Sequence, residues 1–325
     1  MISATPLLSK LILLVDLIPQ PPPPEKRKRG RPQTYNDTLF LKVLIIMIIK
    51  RLHKVGEVLA VLDQPDMAHL RVLLTHNGRY PSRRTWERRL KKLPQGLPAL
   101  IGCLGRELVG LIQPWAECGR AVAIDSTLLR ARGGVWHKKD RQAEHVPHSR
   151  SDTEANGTKS GWHGWVYGWK LHLVTTVAAV WIPLAAELTP ANEADNNVAL
   201  LLLPQLPEQV RYVLGDTHYN APNVEAACDE YDLILVTTKR GPYPHTDEGV
   251  EVRRVFHKLR SLAIENFNEH FKGIFEGHEQ VPTKGLVATQ RFALGAILVY
   301  QLGILYRYKQ GLSLNQGLKA FLRAA

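Results

Sequence analysis

Residues 212–220, YVLGDTHYN, decide how this chain is to be read. Tyr212, Val213 and Leu214 are strand formers, Gly215 allows a bend, and Asp216 stands where the strand ends and the backbone turns. A lone aspartate in that place caps the next turn or helix. It reads differently beside residues 121–127, AVAIDST, an apolar strand-like run with Asp125 in its interior. A charge inside a segment otherwise suited to burial costs several kcal/mol unless a partner compensates it, and a metal ion is one such partner.

A third acid follows in SLAIENFNEHFK, an amphipathic helix with Leu262, Ile264, Phe267 and Phe271 expected to pack inward and Glu265 among them. Ligand sites of open α/β sheets gather at the C-terminal ends of strands. Asp125, Asp216 and Glu265 are therefore candidate metal ligands. Three hard oxygen donors from two strands and a helix suit a pair of Mg²⁺ or Mn²⁺ ions roughly 3.5–4 Å apart, the requirement of two-metal phosphoryl transfer.

The order of elements around these acids predicts an α/β domain. Helices are expected over 35–75 and about 97–115. Strands follow at AVAIDST, WKLHLVTTVAAV and IPLAAELTPAN. NNVALLLLPQL, VRYVLGD, NVEAACDEYD and LILVTTK then alternate helix and strand. FHKLRSLAIENFNEHFKGIFEG reads as one long helix, and an apolar helix at 292–308 closes the chain. Between them, the polar, His- and Gly-rich stretch 133–164 is expected to be flexible and to order on DNA; its His137, His145, His148 and His163 fit no zinc spacing. Asp195 and Asn196, in the loop TPANEADNN, read equally as helix N-cap or functional group.

Charge is distributed unevenly. Residues 1–120 hold 20 Lys and Arg against 9 Asp and Glu, whereas the remaining 205 residues hold 22 against 21. The excess positive charge thus belongs to the N-terminal third, as a polyanion-binding region requires, with DNA or RNA the natural partner. PPPPEKRKRGRP (21–32) is a semi-rigid proline stretch followed by a basic run whose KRGRP resembles the core of an AT-hook, so Arg29 and Arg31 are candidate minor-groove contacts. After Asn77-Gly78 and Pro81, Ser82 is expected to cap a helix running to about Lys92. Trp86 and Leu90 would dock that helix and leave Arg83, Arg84, Arg88 and Arg89 outward, in the manner of a helix-turn-helix reader.

Three cysteines without C-x-x-C spacing exclude a disulfide framework and fit a reducing compartment. The N-terminus lacks a basic n-region and carries Asp16 in its apolar part, so it does not read as a signal peptide. The apolar runs LFLKVLIIMIIKR and FALGAILVYQLGILYRY are shorter than the roughly 20 residues of a spanning helix and are expected to be buried rather than membrane-embedded.

The residues AIDST, LGDTHYN and AIENFNEHFK, in this order, resemble the three acidic motifs of the DDE transposases of bacterial insertion sequences. The likeness runs from about 121 to 308. It implies a ribonuclease H-like mixed sheet with flanking helices, preceded by an all-α, helix-turn-helix-type region. Residues 1–24 would be an apolar and Pro-rich segment, 25–115 the basic DNA-binding region and 116–325 the catalytic domain. It also implies a triad of Asp125, Asp216 and Glu265 on two divalent ions, and contacts to the terminal inverted repeats and target DNA. A homodimer on DNA and a cytoplasmic, nucleoid-associated location follow from the same likeness.

Related elements often carry Tyr-Arg-Glu-Lys around the glutamate. Here Lys272 fits the lysine, Lys258 falls at the tyrosine and Ser261 at the arginine, with Arg260 one place early. Lys258, Glu265 and Lys272 are seven apart and are expected near one helix face, suited to a DNA backbone. GWKLHLV resembles a strand that brings Lys170 and His172 close to the site. Only 48 residues separate Asp216 from Glu265, which leaves no room for a large inserted domain. Two other readings keep part of this pattern: a catalytically decayed, transposase-derived DNA-binding regulator, and a ribonuclease H-like nuclease without strand transfer.

Overall fold

The computed structural model describes residues 7–22, 34–116, 119–146, 148–161, 164–237, 254–256, 258–275, 277, 279–314 and 316–324. The AT-hook-like Arg29 and Arg31 and the histidine His163 lie outside the described residues.

The N-terminal part is helical. Helices α1 (Leu7–Leu14), α2 (Asp37–Ile49), α3 (Val55–Leu62) and α4 (Ala68–Leu73) lead into α5 (Arg83–Lys92) and α6 (Leu97–Ala116). Asn36 caps α2 through its side chain, which accepts from the Leu39 N–H. The turn before α5 is closed by reciprocal backbone bonds between His76 and Arg79, with positive φ at Asn77 and Gly78. A two-residue turn of that hand demands such backbone angles, and Asn-Gly supplies them at least cost. Ser82 caps α5 as expected, accepting from the Thr85 N–H, and Trp86 and Leu90 are buried, Trp86 edge-on against Phe40.

The sheet follows, in strands β1 (Ala121–Arg130), β2 (Asn156–Ser160), β3 (Gly164–Thr176), β4 (Pro183–Pro190), β5 (Tyr212–Gly215) and β6 (Ile234–Thr237). β1 pairs antiparallel with β3 and parallel with β5. β3 pairs antiparallel with β4 and β2, and β5 pairs parallel with β6. Leaving β2 aside, three antiparallel strands continue into two parallel ones with β1 in the middle, which is the ribonuclease H-like arrangement. Helix α7 (Lys138–Gln142) and β2 fall in the stretch expected to be flexible. β2, with sequence NGTKS, pairs with the start of β3. An edge strand needs backbone bonds and not an apolar face, so its composition carried no strand signal.

Helices α8 (Asp195–Leu202) and α9 (Pro222–Glu230) connect the later strands, and α10 (Asn266–Phe275), α11 (Leu286–Lys309) and α12 (Leu318–Ala324) follow. The chain therefore closes on α12, not on the apolar helix. That apolar helix also begins six residues earlier than expected. At 24 residues α11 is long and apolar enough to cross a membrane, as is the helical stretch 83–112, by length and composition alone. α11 is packed on every side, against α2, α6 and β4, and joins the helical region and the sheet in one hydrophobic core.

Gln301, fully buried on α11, donates to the carbonyls of Ile101 at 2.9 Å and Pro183 at 2.8 Å, and so ties α6 to β4. Replacing it with Leu takes this donor from both buried carbonyls and unties α6 from β4. The expected result is a loss of about 2–4 kcal/mol in urea unfolding followed by circular dichroism. A loss under about 0.5 kcal/mol would show that other donors replace it.

Candidate active site

The register of the sheet brings the first two acids together. β1 and β5 run parallel with Ala121, Val122 and Ala123 opposite Tyr212, Val213 and Leu214. Continuing that register two residues past Ala123 and Leu214 sets Asp125 beside Asp216, on the same face of the sheet by alternation. Asp125 is still within β1, opposite Leu173 of β3, while Asp216 stands just past the end of β5. The third acid arrives from the turn Ser261–Glu265, which leads into α10 and packs on β1 and β3. Asp125, Asp216 and Glu265 thus line one open cavity, about 960 Å³ in volume.

Each acid is held differently. Asp216 does both things expected of it: its Oδ1 accepts from the His218 N–H at 2.8 Å in a tight turn, while its Oδ2 lies 3.0 Å from His218 Nδ1 and the side chain faces the cavity. Gly215 before it has no special backbone angle to justify it. A Cβ there would come within 2.9 Å of Tyr219, so the glycine makes room for a buried ring, whereas a bend was expected. Asp125 has a side chain 17 % exposed and accepts the Ser126 N–H at 2.8 Å. Glu265 is half-exposed and accepts from Ser261 Oγ at 2.9 Å.

Arg260 joins two of them. Its Nη2 donates to Asp125 Oδ2 at 2.9 Å and its Nη1 to Glu265 Oε1 at 3.0 Å. Burial still raises the Asp125 carboxyl to about 6, against the opposing pull of Arg260 and with the nearby Asp216 charge adding to the rise. Tyr219, buried behind these acids, has its phenol pushed well above the ordinary value by burial and by the same carboxylates.

An acid whose value is raised on folding favours the folded state only while protonated. That contribution is complete below the ordinary value near 3.8 and is lost as pH rises through about 6. Removing the charge is therefore expected to help. Without divalent metal, Asp125→Asn should be more stable than wild type at pH 8, by up to about 2–3 kcal/mol, with the gap closing near pH 4. Thermal unfolding in chelator at the two pH values measures it; an equal gap at both would mean that Asp125 is not held in this environment.

Around the acids, Lys170 Nζ donates to the Glu193 carbonyl at 2.9 Å and to Asp195 Oδ1 at 3.2 Å, and it lines the cavity with its charge tethered. Asp195 is the first residue of α8 and not its cap, a place taken by Ala194. His172 is buried and bonded to Thr189 Oγ1 at 2.9 Å; burial lowers it to about 4, so its 3.4 Å approach to Asp195 is a contact of a neutral ring and not an ion pair. The β2 residues Thr158 and Lys159 form part of the cavity wall, a contribution hidden in the sequence by the absence of a strand pattern.

Other candidates fall elsewhere. Lys258 is exposed and is not among the residues lining the cavity. Lys272 is half-buried, with its ammonium value lowered by burial. The Ser261–Glu265 turn is a π-turn whose extra residue rotates Lys258 away from the Glu265 face, whereas Lys272 follows Glu265 in regular α-helix and feels the Asp125 charge. The same turn leaves Leu262 50 % exposed while Ile264, Phe267 and Phe271 are buried, which corrects the expected inward face. On α5, Arg83, Arg84 and Arg88 are exposed as expected. Arg89 is not: its guanidinium is bonded to Asp37 and lies 4.7 Å from the Phe40 ring centre.

Among the described residues no three His, Cys, Asp or Glu stand close enough to form a ready cation site. The donor chemistry nonetheless suits a divalent ion. Three carboxylates share one cavity, and Asp125 is insufficiently compensated by the arginine beside it.

Fold and site together define a ribonuclease H-like domain with three acids gathered in one cleft. The family described as Transposase DDE domain matches residues 116–302, more than half of the chain, and the protein belongs to that family. No curated protein matches significantly. Among solved structures, the chain is similar to the Mos1 transposase paired-end complex with left transposon end and to a pre-cleavage Mos1 transpososome. Identity is 12 % in both, over 88 % of this chain and 80 % of those chains, with TM-scores of 0.22 and 0.21. The Mos1 strand transfer complex matches equally distantly, at 12 % identity and a TM-score of 0.22 over 88 % of this chain and 79 % of that one. A likeness so remote adds nothing to the family match.

Proposed function

We propose that this transposase binds the terminal inverted repeats of its element, cuts the DNA there and joins the freed 3′ end to target DNA. The observation that carries the reading is the meeting of Asp125, Asp216 and Glu265 in one open cavity, from two strands and a helical turn far apart in sequence. Neither reaction needs an enzyme nucleophile, since water attacks in the first and a DNA 3′-hydroxyl in the second. Asp125, Asp216 and Glu265 would hold two Mg²⁺ or Mn²⁺ ions, which when bound supply Lewis-acid stabilisation of the attacking and leaving oxygens.

The remaining roles belong to the chain itself. Asp195 aims the Lys170 ammonium along the cavity wall, where it meets a phosphate, and Lys159 offers a second cation from the β2 edge. The buried, neutral His172 fixes Thr189 and steadies that wall. Arg83, Arg84 and Arg88 on α5 face outward for the DNA backbone, as the concentration of positive charge in residues 1–120 requires. Two such chains would bring a pair of ends together.

The test is Mg²⁺-dependent cutting and joining of a labelled duplex carrying the element's own end. Cutting followed by joining supports the proposal. Cutting alone points to a nuclease, and binding without chemistry in Mg²⁺ or Mn²⁺ points to a regulator.

A further inference from the structure

The arginine of the glutamate signature stands four residues before the glutamate, a place that Ser261 takes in this chain while Arg260 stands five before. On an α-helix, residues five apart point about 140° away from each other. The turn Ser261–Glu265 removes that mismatch. The Asn266 N–H bonds the Ser261 carbonyl five residues back, so the turn holds one residue more than an α-turn and carries Arg260 round to the face of Glu265. The guanidinium then bridges Asp125 and Glu265, at 2.9 and 3.0 Å, with a side chain only 13 % exposed. Its Nε is buried with no acceptor among the described residues. An arginine cannot shed its proton, and a fork with an unused Nε is short of an anion that takes two parallel bonds.

We infer that Arg260 is a displaceable counter-cation of the acidic site. In the free protein it occupies the ground between Asp125 and Glu265 that a divalent ion needs. A DNA phosphate, gripped through Nε and one Nη, is its alternative partner. The inference rests on the reading of the three acids as metal ligands. A guanidinium seated between Asp125 and Glu265 takes up their facing lone pairs and repels a second cation there by like charge. A buried guanidinium leaves its carboxylates at low cost only if another anion receives it. DNA and metal therefore bind with positive coupling: each makes room for the other, and by linkage the effect is equal in both directions. The π-turn is what gives an arginine in the displaced position this role.

Mn²⁺ binding to the full chain, followed by titration calorimetry with and without a duplex carrying the element's end, tests this. Wild type should bind Mn²⁺ weakly alone and about 10-fold or more tightly on DNA. Arg260→Gln should bind Mn²⁺ without DNA about 10-fold or more tightly than wild type, with little further gain from DNA. Equal Mn²⁺ affinity for wild type and Arg260→Gln in the absence of DNA overturns the inference. If Arg260→Gln, folded by circular dichroism, takes up no more Mn²⁺ than Asp125→Asn with or without DNA, the metal-ligand reading fails first and takes the coupling with it.

Discussion

Asp216→Asn is expected to lower strand cleavage by about 10³-fold or more, roughly 4 kcal/mol of barrier, while DNA affinity changes less than about twofold. Asp125→Asn and Glu265→Gln should do the same, because the three carboxylates serve one cavity and act as a single unit. Effects within such a unit do not add, so a double variant should be no slower than the worse of its parents. Single-turnover cleavage of a labelled transposon end, with binding by anisotropy alongside, measures both. An Asp216→Asn enzyme that kept a tenth of wild-type cleavage would reduce Asp216 to the turn residue that its bonds to His218 also make it. Asp125→Asn carries an additional signature, since it should combine lost chemistry with raised stability at pH 8. A residue kept for structure shows the opposite.

The second large effect is expected from α5. Changing Arg83, Arg84 and Arg88 together to Ala should weaken DNA binding by about 10²-fold near physiological salt. It should also flatten the slope of log affinity against log salt by about 2–3, close to one for each phosphate that the variant no longer neutralises. Duplexes of unrelated sequence should lose affinity nearly as much, because phosphate contacts position and do not specify. Arg89→Ala is expected to differ in kind. Arg89 is engaged within the fold, by Asp37 and the Phe40 ring, so its loss should lower stability and leave the salt slope almost unchanged. Binding measured from about 50 to 300 mM salt separates the two, and an unchanged slope for the triple variant would move the DNA-binding face away from α5.

Much of the architecture was legible because it rests on local chemistry. The β-branched and apolar run around Asp125, the strand ending at Asp216, and Ser82 before Trp86 and Leu90 all signal through neighbours a few residues away. The structure has the strands and the cap where those signals put them. β2 was missed for a physical reason. NGTKS holds its place by backbone bonds to Gly164–Gly168, and no apolar period records that. The length of α11 was underestimated because its first turns, from Leu286, contain polar residues such as Thr289 that find partners inside the protein.

By itself the sequence determined which residue types were available for chemistry, the concentration of positive charge in the N-terminal third, and the order of strands and helices that makes a ribonuclease H-like sheet. Propensity, capping and charge count are properties of short stretches and survive without the fold. Only the tertiary structure decided that Asp125 and Asp216 are neighbours, because a parallel register between β1 and β5 links residues about ninety positions apart. Only it decided that Arg260 reaches Glu265 alongside Ser261, since one inserted residue in a helical turn rotates everything before it. Arg89 and Arg88 stand side by side in the sequence with the same charge. Asp37 and Phe40 of α2 engage the first, and the second is left to solvent.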